Sequence, residues 1–236
     1  MTKKYLIKYS LEFLIIVLGI TVSFWINQAA NSSEFEKQKL RIINNLQIEV
    51  DQIYNYCLER KDACKQDIDI LKLFIGDNHF DSNLEQLKDF NISKSRIEFV
   101  LTSNRAFDPP SSRYRSIINS GDIKYLDSDN IKEYLSRVYD TYFSYVRTNL
   151  EYEKQLKGTL TPYLLQTYPE IILERENNTI SVSNYYKILH EITSNDKTIE
   201  ANIILLNSYL QNKINYLELY IMMVEELDME IQSILK

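Results

Sequence analysis

The stretch SLEFLIIVLGITVSFWIN, from Ser10 to Asn27, is apolar enough to cross a lipid bilayer, yet it contains a glutamate at position 12. The wider segment 5–26 would rise roughly 33 Å as an α-helix, which matches a hydrocarbon core of about 30 Å. Tyrosines near its first end and Trp25 near its second occupy the level where amphipathic rings favour lipid headgroups. The sequence therefore predicts a membrane-spanning helix, and Glu12 raises the question of what shelters its carboxylate.

One face of this helix is polar or small. At about 100° per residue, Lys8, Gly19, Ser23 and Asn27 all fall within roughly 60° of Glu12. We call these five residues the Glu12 stripe. A charged side chain at the bilayer centre costs about 2.5–3.5 kcal/mol on insertion scales, so such residues usually face a protein interior or a water-filled path. Small residues also allow close contact between membrane helices.

Three interpretations of the stripe stay open. Glu12 can lie near the membrane surface and pair with Lys8 one turn away, copies of the chain can associate through the stripe, or the stripe can line a water-filled pore. Because one span cannot enclose a pore, a channel requires a homo-oligomer or helices from a partner protein. The lipid bilayer is the one partner that all three interpretations share.

The polar sequence NQAANSS, at 27–33, follows the apolar run. Its alanines are compatible with a cleavable signal peptide, but retention as a membrane anchor is the preferred interpretation. The lysines before the span are as numerous as the cations soon after it, so charge does not decide which side of the membrane the rest of the chain occupies. We predict a transmembrane segment with its flank at 1–32 and a helical soluble domain at 33–236.

Composition predicts an all-α protein. The 236 residues are 44% hydrophobic and include only four glycines and four prolines, which leaves few turns for a sheet-rich fold. A net charge of −6 argues against a protein that coats nucleic acid by bulk charge. The expected architecture is an N-terminal transmembrane helix followed by an antiparallel multi-helix bundle.

A long helix is predicted after the span. Ser33 and Glu36 have capping-box spacing, which favours a fresh helix start, and Gly76 favours its end. Apolar residues recur in sevens along it, which fits a bundle helix better than a coiled coil. Further helices are predicted at about 83–104, 111–120, 128–157, 160–177, 183–194 and 196–235. The last is long and apolar on more than one side, so we expect it to pack against the helix that begins near Ser33.

Chemistry-bearing residues are sparse. Cys57 and Cys64 would lie roughly 10.5 Å apart along one helix, too far for a disulfide, so they are predicted to be buried packing residues, with an intermolecular bridge as the alternative. His79 and His190 form no metal-binding pair, and there is no nucleophile turn or glycine-rich phosphate loop. We predict no catalytic residues, no metal, no cofactor and no enzymatic activity.

A ligand site is the better hypothesis for the middle of the chain. Arginines lie there among many tyrosines, residue types that hold phosphates and stack bases. The segment SSRYRS, with Arg113, Tyr114 and Arg115, is the best candidate because a helix amino terminus offers backbone N–H groups to an anion. Arg105 completes the candidate set for a nucleotide or oligonucleotide. The alternative is that the tyrosines build a core and the arginines pair with nearby acids.

Two segments together carry a family resemblance. EFLIIVLGITVSFWINQ, at 12–28, and RSIINSGDIKYLDSDNIKEYLSRVYDTY, at 115–142, resemble an uncharacterised family of small bacterial membrane proteins, known mainly as a domain of unknown function. Glu12, Gly19, Ser120 and Gly121 carry the match through the acid in the span and the later Ser-Gly-Asp turn. The resemblance implies a bacterial inner-membrane protein and transfers no mechanism.

Two functional classes follow. The first is a homo-oligomeric single-pass membrane protein, a candidate pore or ion-channel effector whose helical domain senses a ligand and gates the membrane bundle, by architectural analogy with membrane effectors of bacterial defence systems. The second is a membrane-tethered helical scaffold without conductance, which holds its domain at the membrane surface for a partner protein. The polar stripe favours the first, because a simple tether does not require one.

Overall fold

The computed structural model describes residues 3–75 and 92–235, and within these ranges every regular element is helical. The α-helices are α1 Lys3–Lys72, α2 Lys94–Thr102, α3 Ser112–Ser120, α4 Asp129–Ser136, α5 Phe143–Thr167, α6 Glu170–Glu176, α7 Val182–Asn195 and α8 Lys197–Leu235. A 3-10 turn, Asp122–Tyr125, follows α3, and a π-helical turn, Arg137–Tyr142, joins α4 to α5. The all-α prediction is confirmed.

Helix α1 is continuous over 70 residues, or about 105 Å. The predicted fresh helix start at Ser33 is therefore wrong. The segment NQAANSS contains no glycine or proline, and Ala29 and Ala30 are the best helix formers, so nothing in it stops the helix. The predicted boundary between 1–32 and 33–236 falls inside this one helix.

Burial divides α1 into two parts. Every side chain from Lys8 to Glu34 is exposed, and the first buried residue is Ile42. Beyond it, residues of the predicted seven-residue repeat are buried in the bundle core: Ile43, Val50, Cys57, Cys64 and Leu71. The first part is long and apolar enough to cross a membrane, and none of its apolar window is covered by the protein. Within one chain, its apolar surface has no shelter.

The bundle is built on three long helices. Helix α8 runs antiparallel to α1, because Gln47 donates a hydrogen bond to Asp228 whereas Lys61 pairs with Glu218 further along. Helix α5 in turn runs antiparallel to α8, with Tyr152 stacked near Tyr209. The expected packing of the last helix against the helix around Ser33 is confirmed, and so is the antiparallel bundle. The shorter helices cover the sides of these three.

Other helix boundaries agree with the sequence or correct it. Gly121 ends α3 in the left-handed conformation, with φ of 73°, as predicted. The predicted break at Gly158 is wrong, because α5 continues through it to Thr167. A glycine in a helix costs only about 1 kcal/mol, and burial of Leu160 and Leu164 on the following turns outweighs this cost. Gly76 and residues 83–91 of a predicted helix lie outside the described residues.

Both cysteines are free and buried, which confirms the prediction that they are packing residues. Burial raises the pKa of the Cys57 thiol to about 12, and burial likewise raises the pKa of Cys64. Both thiols therefore stay protonated and unreactive at neutral pH.

A buried ionic cluster links α5 to α8. Glu153 lies 2.8 Å from Lys157 and also pairs with Lys213, and all three side chains are at least nine-tenths buried. Lys157 additionally donates to the backbone carbonyl of Ser103. Burial disfavours the charged form of Glu153, but attraction to Lys213 and Lys157 outweighs it, so the pKa of this carboxyl is lowered from its ordinary 4.5.

We expect Glu153→Gln to lower the free energy of unfolding by about 3–5 kcal/mol, because it leaves two buried ammonium groups without a counter-charge. Denaturant unfolding of the full chain in lipid nanodiscs at pH 7 measures this. The control is Glu151→Gln on the exposed face of α5, where the pair with Lys154 contributes below about 1 kcal/mol. The difference between wild type and Glu153→Gln should persist above pH 4.5 and shrink as the pH falls through the lowered pKa of Glu153. Equal destabilisation by the two variants would contradict the buried role of Glu153.

Candidate functional site

The Glu12 stripe lies wholly on the outside of α1. Lys8 Nζ is 4.0 Å from Glu12 Oε1, and both side chains are more than half exposed. No atom lies within 4 Å of a Cβ built on Gly19, and Ser23 and Asn27 are exposed. In a single chain, Glu12 therefore has a charge partner but no protein cover.

The stripe and the core of the bundle lie on opposite sides of α1. Ile48 follows Glu12 by about ten helical turns, so it lies on the same face of the helix, and it is exposed. The buried residues Leu46, Val50 and Ile53 lie about 140–200° around the helix from Glu12. Along the apolar segment a second chain can therefore approach the stripe, whereas further along α1 helix α3 flanks the same face, where Arg41 and Asn45 line a cavity with it.

The amino terminus of α3 is held by a buried acid from α1. The Glu49 carboxylate is fully buried; it accepts hydrogen bonds from the backbone N–H of Arg113 at 2.6 Å and of Tyr114 at 3.0 Å. It also accepts one from the Tyr139 hydroxyl at 2.5 Å. The first N–H groups of a helix have no acceptor within the helix, so Glu49 serves as the cap of α3.

This cap changes the interpretation of SSRYRS. Ser111 stands at the N-cap position but makes no side-chain capping bond. The N–H groups of Arg113 and Tyr114, which the anion-site hypothesis assumed to be free, are occupied by Glu49. These two N–H groups are therefore not available to a ligand at this segment.

Tyr114 and Arg115 lie on one side of the cap. The Tyr114 ring stacks on Tyr139 with centroids 3.9 Å apart, and burial, with the hydrogen bond to Glu49, raises the pKa of Tyr139 above its usual range. Beside them is a cavity of about 260 Å³. Its lining is Asp108, Pro109, Ser111, Tyr114, Arg115, Tyr139, Asp140, Phe143 and Tyr220. The cavity is aromatic and carries more acids than cations.

Arg113 lies on the other side of the cap. Its Nη1 donates to Asn45 Oδ1 at 3.2 Å, and its side chain lines a separate cavity of about 490 Å³ between α1 and α3. Arg105 lines neither of these two cavities. It pairs with Asp67 at 3.2 Å, and Asp67 lies roughly 27 Å along α1 from Glu49. Arg96 shares that carboxylate. The structure thus separates the candidate arginines into three environments.

Glu49 was missed by the sequence reasoning, although a signal for it exists. It lies three residues after Leu46 and four before Ile53, so an acid interrupts the apolar face of a core helix. A buried acid requires partners. The sequence alone could not identify them, because Arg113 and Tyr139 are distant along the chain.

We expect Glu49→Ala to lower the free energy of unfolding by about 2–4 kcal/mol, because three part-buried donors lose their acceptor. Amide hydrogen exchange should accelerate at Arg113 and Tyr114. The matched variant Tyr139→Phe removes one donor and keeps the cap, so these two amides should stay protected. Unchanged exchange in Glu49→Ala would refute the capping role.

The described residues offer cations, amides and hydroxyls for binding, but no group of three or more His, Cys, Asp or Glu that could hold a metal ion. His190 lies on α7 with its ring 5.8 Å from that of Tyr186, and His79 lies outside the described residues. Comparison of the chain with protein-family models, curated proteins and solved structures found no match.

Proposed function

We propose that this chain is a single-pass membrane protein whose copies associate through the Glu12 stripe, and whose helical domain controls the membrane assembly, which is a candidate ion-conducting pore. The resemblance described above leads us to propose the bacterial inner membrane as its location. The helical domain is the proposed sensor, and the lipid bilayer and further copies of the chain are the proposed partners.

The observation that carries this proposal is the continuity of α1. The same helix bears the uncovered apolar segment and one whole side of the bundle core, with no break between them. A rotation or tilt of the bundle therefore moves the Glu12 stripe as well. A flexible tether would not couple the two, since a coil absorbs such motion.

The stripe supplies the chemistry for association. A carboxylate facing lipid is unfavourable, whereas neighbouring stripes could surround it with polar groups. Gly19 leaves open space at the helix surface where a second helix can approach closely. Because the bundle core lies on the other side of α1, association along the stripe leaves most of each helical domain on the outside of the assembly, with α3 beside the contact.

A second candidate is supported by the pair of Lys8 and Glu12. At 4.0 Å within one chain, Lys8 offers a counter-charge to the acid without any second copy. In this case the protein is a membrane-tethered scaffold that presents its helical domain to a partner protein and conducts no ions. Association and current separate the two candidates.

We expect Glu12→Leu and Ser23→Leu to lower the mass of the particles in nanodiscs, measured by light scattering, and to abolish any current in planar bilayers. Thr21→Leu is the matched control, because it replaces a similar hydroxyl on the opposite face, where Thr21 donates to Val17 O at 2.8 Å. Its particle mass should equal that of wild type. A monomeric wild type, or loss of mass in Thr21→Leu as well, would reject association through the stripe. A wild-type oligomer without current would favour a scaffold.

Alanine insertions after Asn31 test the rigid connection. Two alanines rotate the stripe by about 200° relative to the bundle and so turn the bundle towards the neighbouring copy, whereas seven rotate it by only about 20°. We expect the two-residue insertion to reduce particle mass and the seven-residue insertion to retain it. The same mass for both insertions would show that α1 does not transmit orientation.

A further inference from the structure

We propose that the cavity of about 490 Å³ between α1 and α3 binds a phosphorylated polyol, either as a free metabolite or as the headgroup of a membrane lipid. This inference extends the proposed function. Only the effect of the ligand on the assembly depends on that function. Binding itself is measurable in a single copy.

The cavity is built from polar side chains of both helices. Helix α1 contributes Gln38, Arg41, Ile42, Asn45 and Gln52 to its lining, and α3 with the following turn contributes Ser112, Arg113, Ser116, Ile117 and Asp122. Guanidinium, amide and hydroxyl groups, together with the Asp122 carboxylate, therefore line one volume. Its size lies within the range of about 300–1,000 Å³ that is usual for small-molecule sites.

Its two arginines have no carboxylate partner among the described residues. The Arg113 guanidinium bonds to the neutral amide oxygen of Asn45, and Arg41 is in no ion pair there. Other arginines are neutralised, as Arg175 is by Glu98 at 2.8 Å. Asp122 is the one carboxylate in the lining, so the two guanidinium groups leave an excess of positive charge around the cavity, which favours an anion. Their forked donors match the oxygens of phosphate.

The rest of the lining points to a polyol rather than a nucleobase. No aromatic side chain lines this cavity, so nothing there can stack a base. The amides of Gln52 and Asn45 and the hydroxyls of Ser112 and Ser116 are suited to hydroxyl groups. The aromatic cavity across the Glu49 cap holds Asp108 and Asp140 and does not favour phosphate. The hypothesis of a nucleotide ligand is thus narrowed to a phosphorylated ligand without a base.

The position of the cavity allows either source of ligand. Gln38 lies roughly 17 Å along α1 beyond Asn27, the end of the apolar segment. Headgroup regions extend about 5–8 Å beyond each face of the hydrocarbon core, so the cavity begins roughly 9–12 Å outside them. A free phosphorylated polyol reaches it from solution, and a lipid headgroup reaches it only where the long helix tilts or the lipid protrudes.

The test titrates the full chain in phosphatidylcholine nanodiscs with glycerol 3-phosphate and, as the uncharged control, glycerol. A parallel arm replaces part of the lipid with phosphatidylglycerol. Calorimetric binding and the unfolding temperature are the readouts, and both report binding whether or not the chain associates. Arg41→Gln and Arg113→Gln should each weaken binding at least tenfold, since each removes a charge-assisted contact. Arg147→Gln, which removes an exposed arginine of α5 outside the cavity, should leave binding unchanged.

Glycerol 3-phosphate binding that both cavity variants weaken would support a free ligand. A rise in unfolding temperature only with phosphatidylglycerol, lost in the same variants, would support a lipid headgroup. Absence of both effects, or equal weakening by Arg147→Gln, would overturn the proposal. A monomeric chain can still bind the ligand. Failure of association through the Glu12 stripe would therefore not change the interpretation of the binding experiment.

Discussion

One uninterrupted helix constrains everything else in this molecule. No glycine or proline occurs in α1 between Gly19 and Lys72, so the angle between the apolar segment and the bundle core follows from helical geometry alone. That angle turns the Glu12 stripe away from the core of the bundle. An unbroken helix also means that the two parts cannot reorient independently, which makes the bundle and the stripe one mechanical unit.

Buried acids then fix how the remaining helices dock. Glu49 joins α1 to α3 and Tyr139, Glu153 joins α5 to α8, and Asp67 joins α1 to two arginines near α2. Burying each of these carboxylates has a desolvation cost that an apolar residue would not have, so these contacts add little net stability. Their role is to fix the relative positions of the helices, because a carboxylate accepts hydrogen bonds only from particular directions. Apolar packing alone would permit neighbouring helices to slide.

Periodic patterns in the sequence predicted the long helices well, because the residues that set them are local. The repeat from Ile43 to Leu71 and the apolar faces of α8 identified the bundle core. The break at Ser33 was wrong because a capping box is only a weak local preference, and uninterrupted helix formers beside it prevailed. The cap at Glu49 could not be predicted from the sequence for another reason: its donors come close to it only after the chain has folded.

The position of Arg41 connects the candidate ligand to the candidate assembly. It follows Glu12 by about eight helical turns and therefore projects from the same face of α1. In an assembly along that face, Arg41 side chains of neighbouring copies approach one another, and their repulsion opposes association. An anion in the cavity between α1 and α3 would offset that charge. Ligand binding and association would then be linked thermodynamically, and by reciprocity the assembled form would bind the anion more tightly than a single copy does.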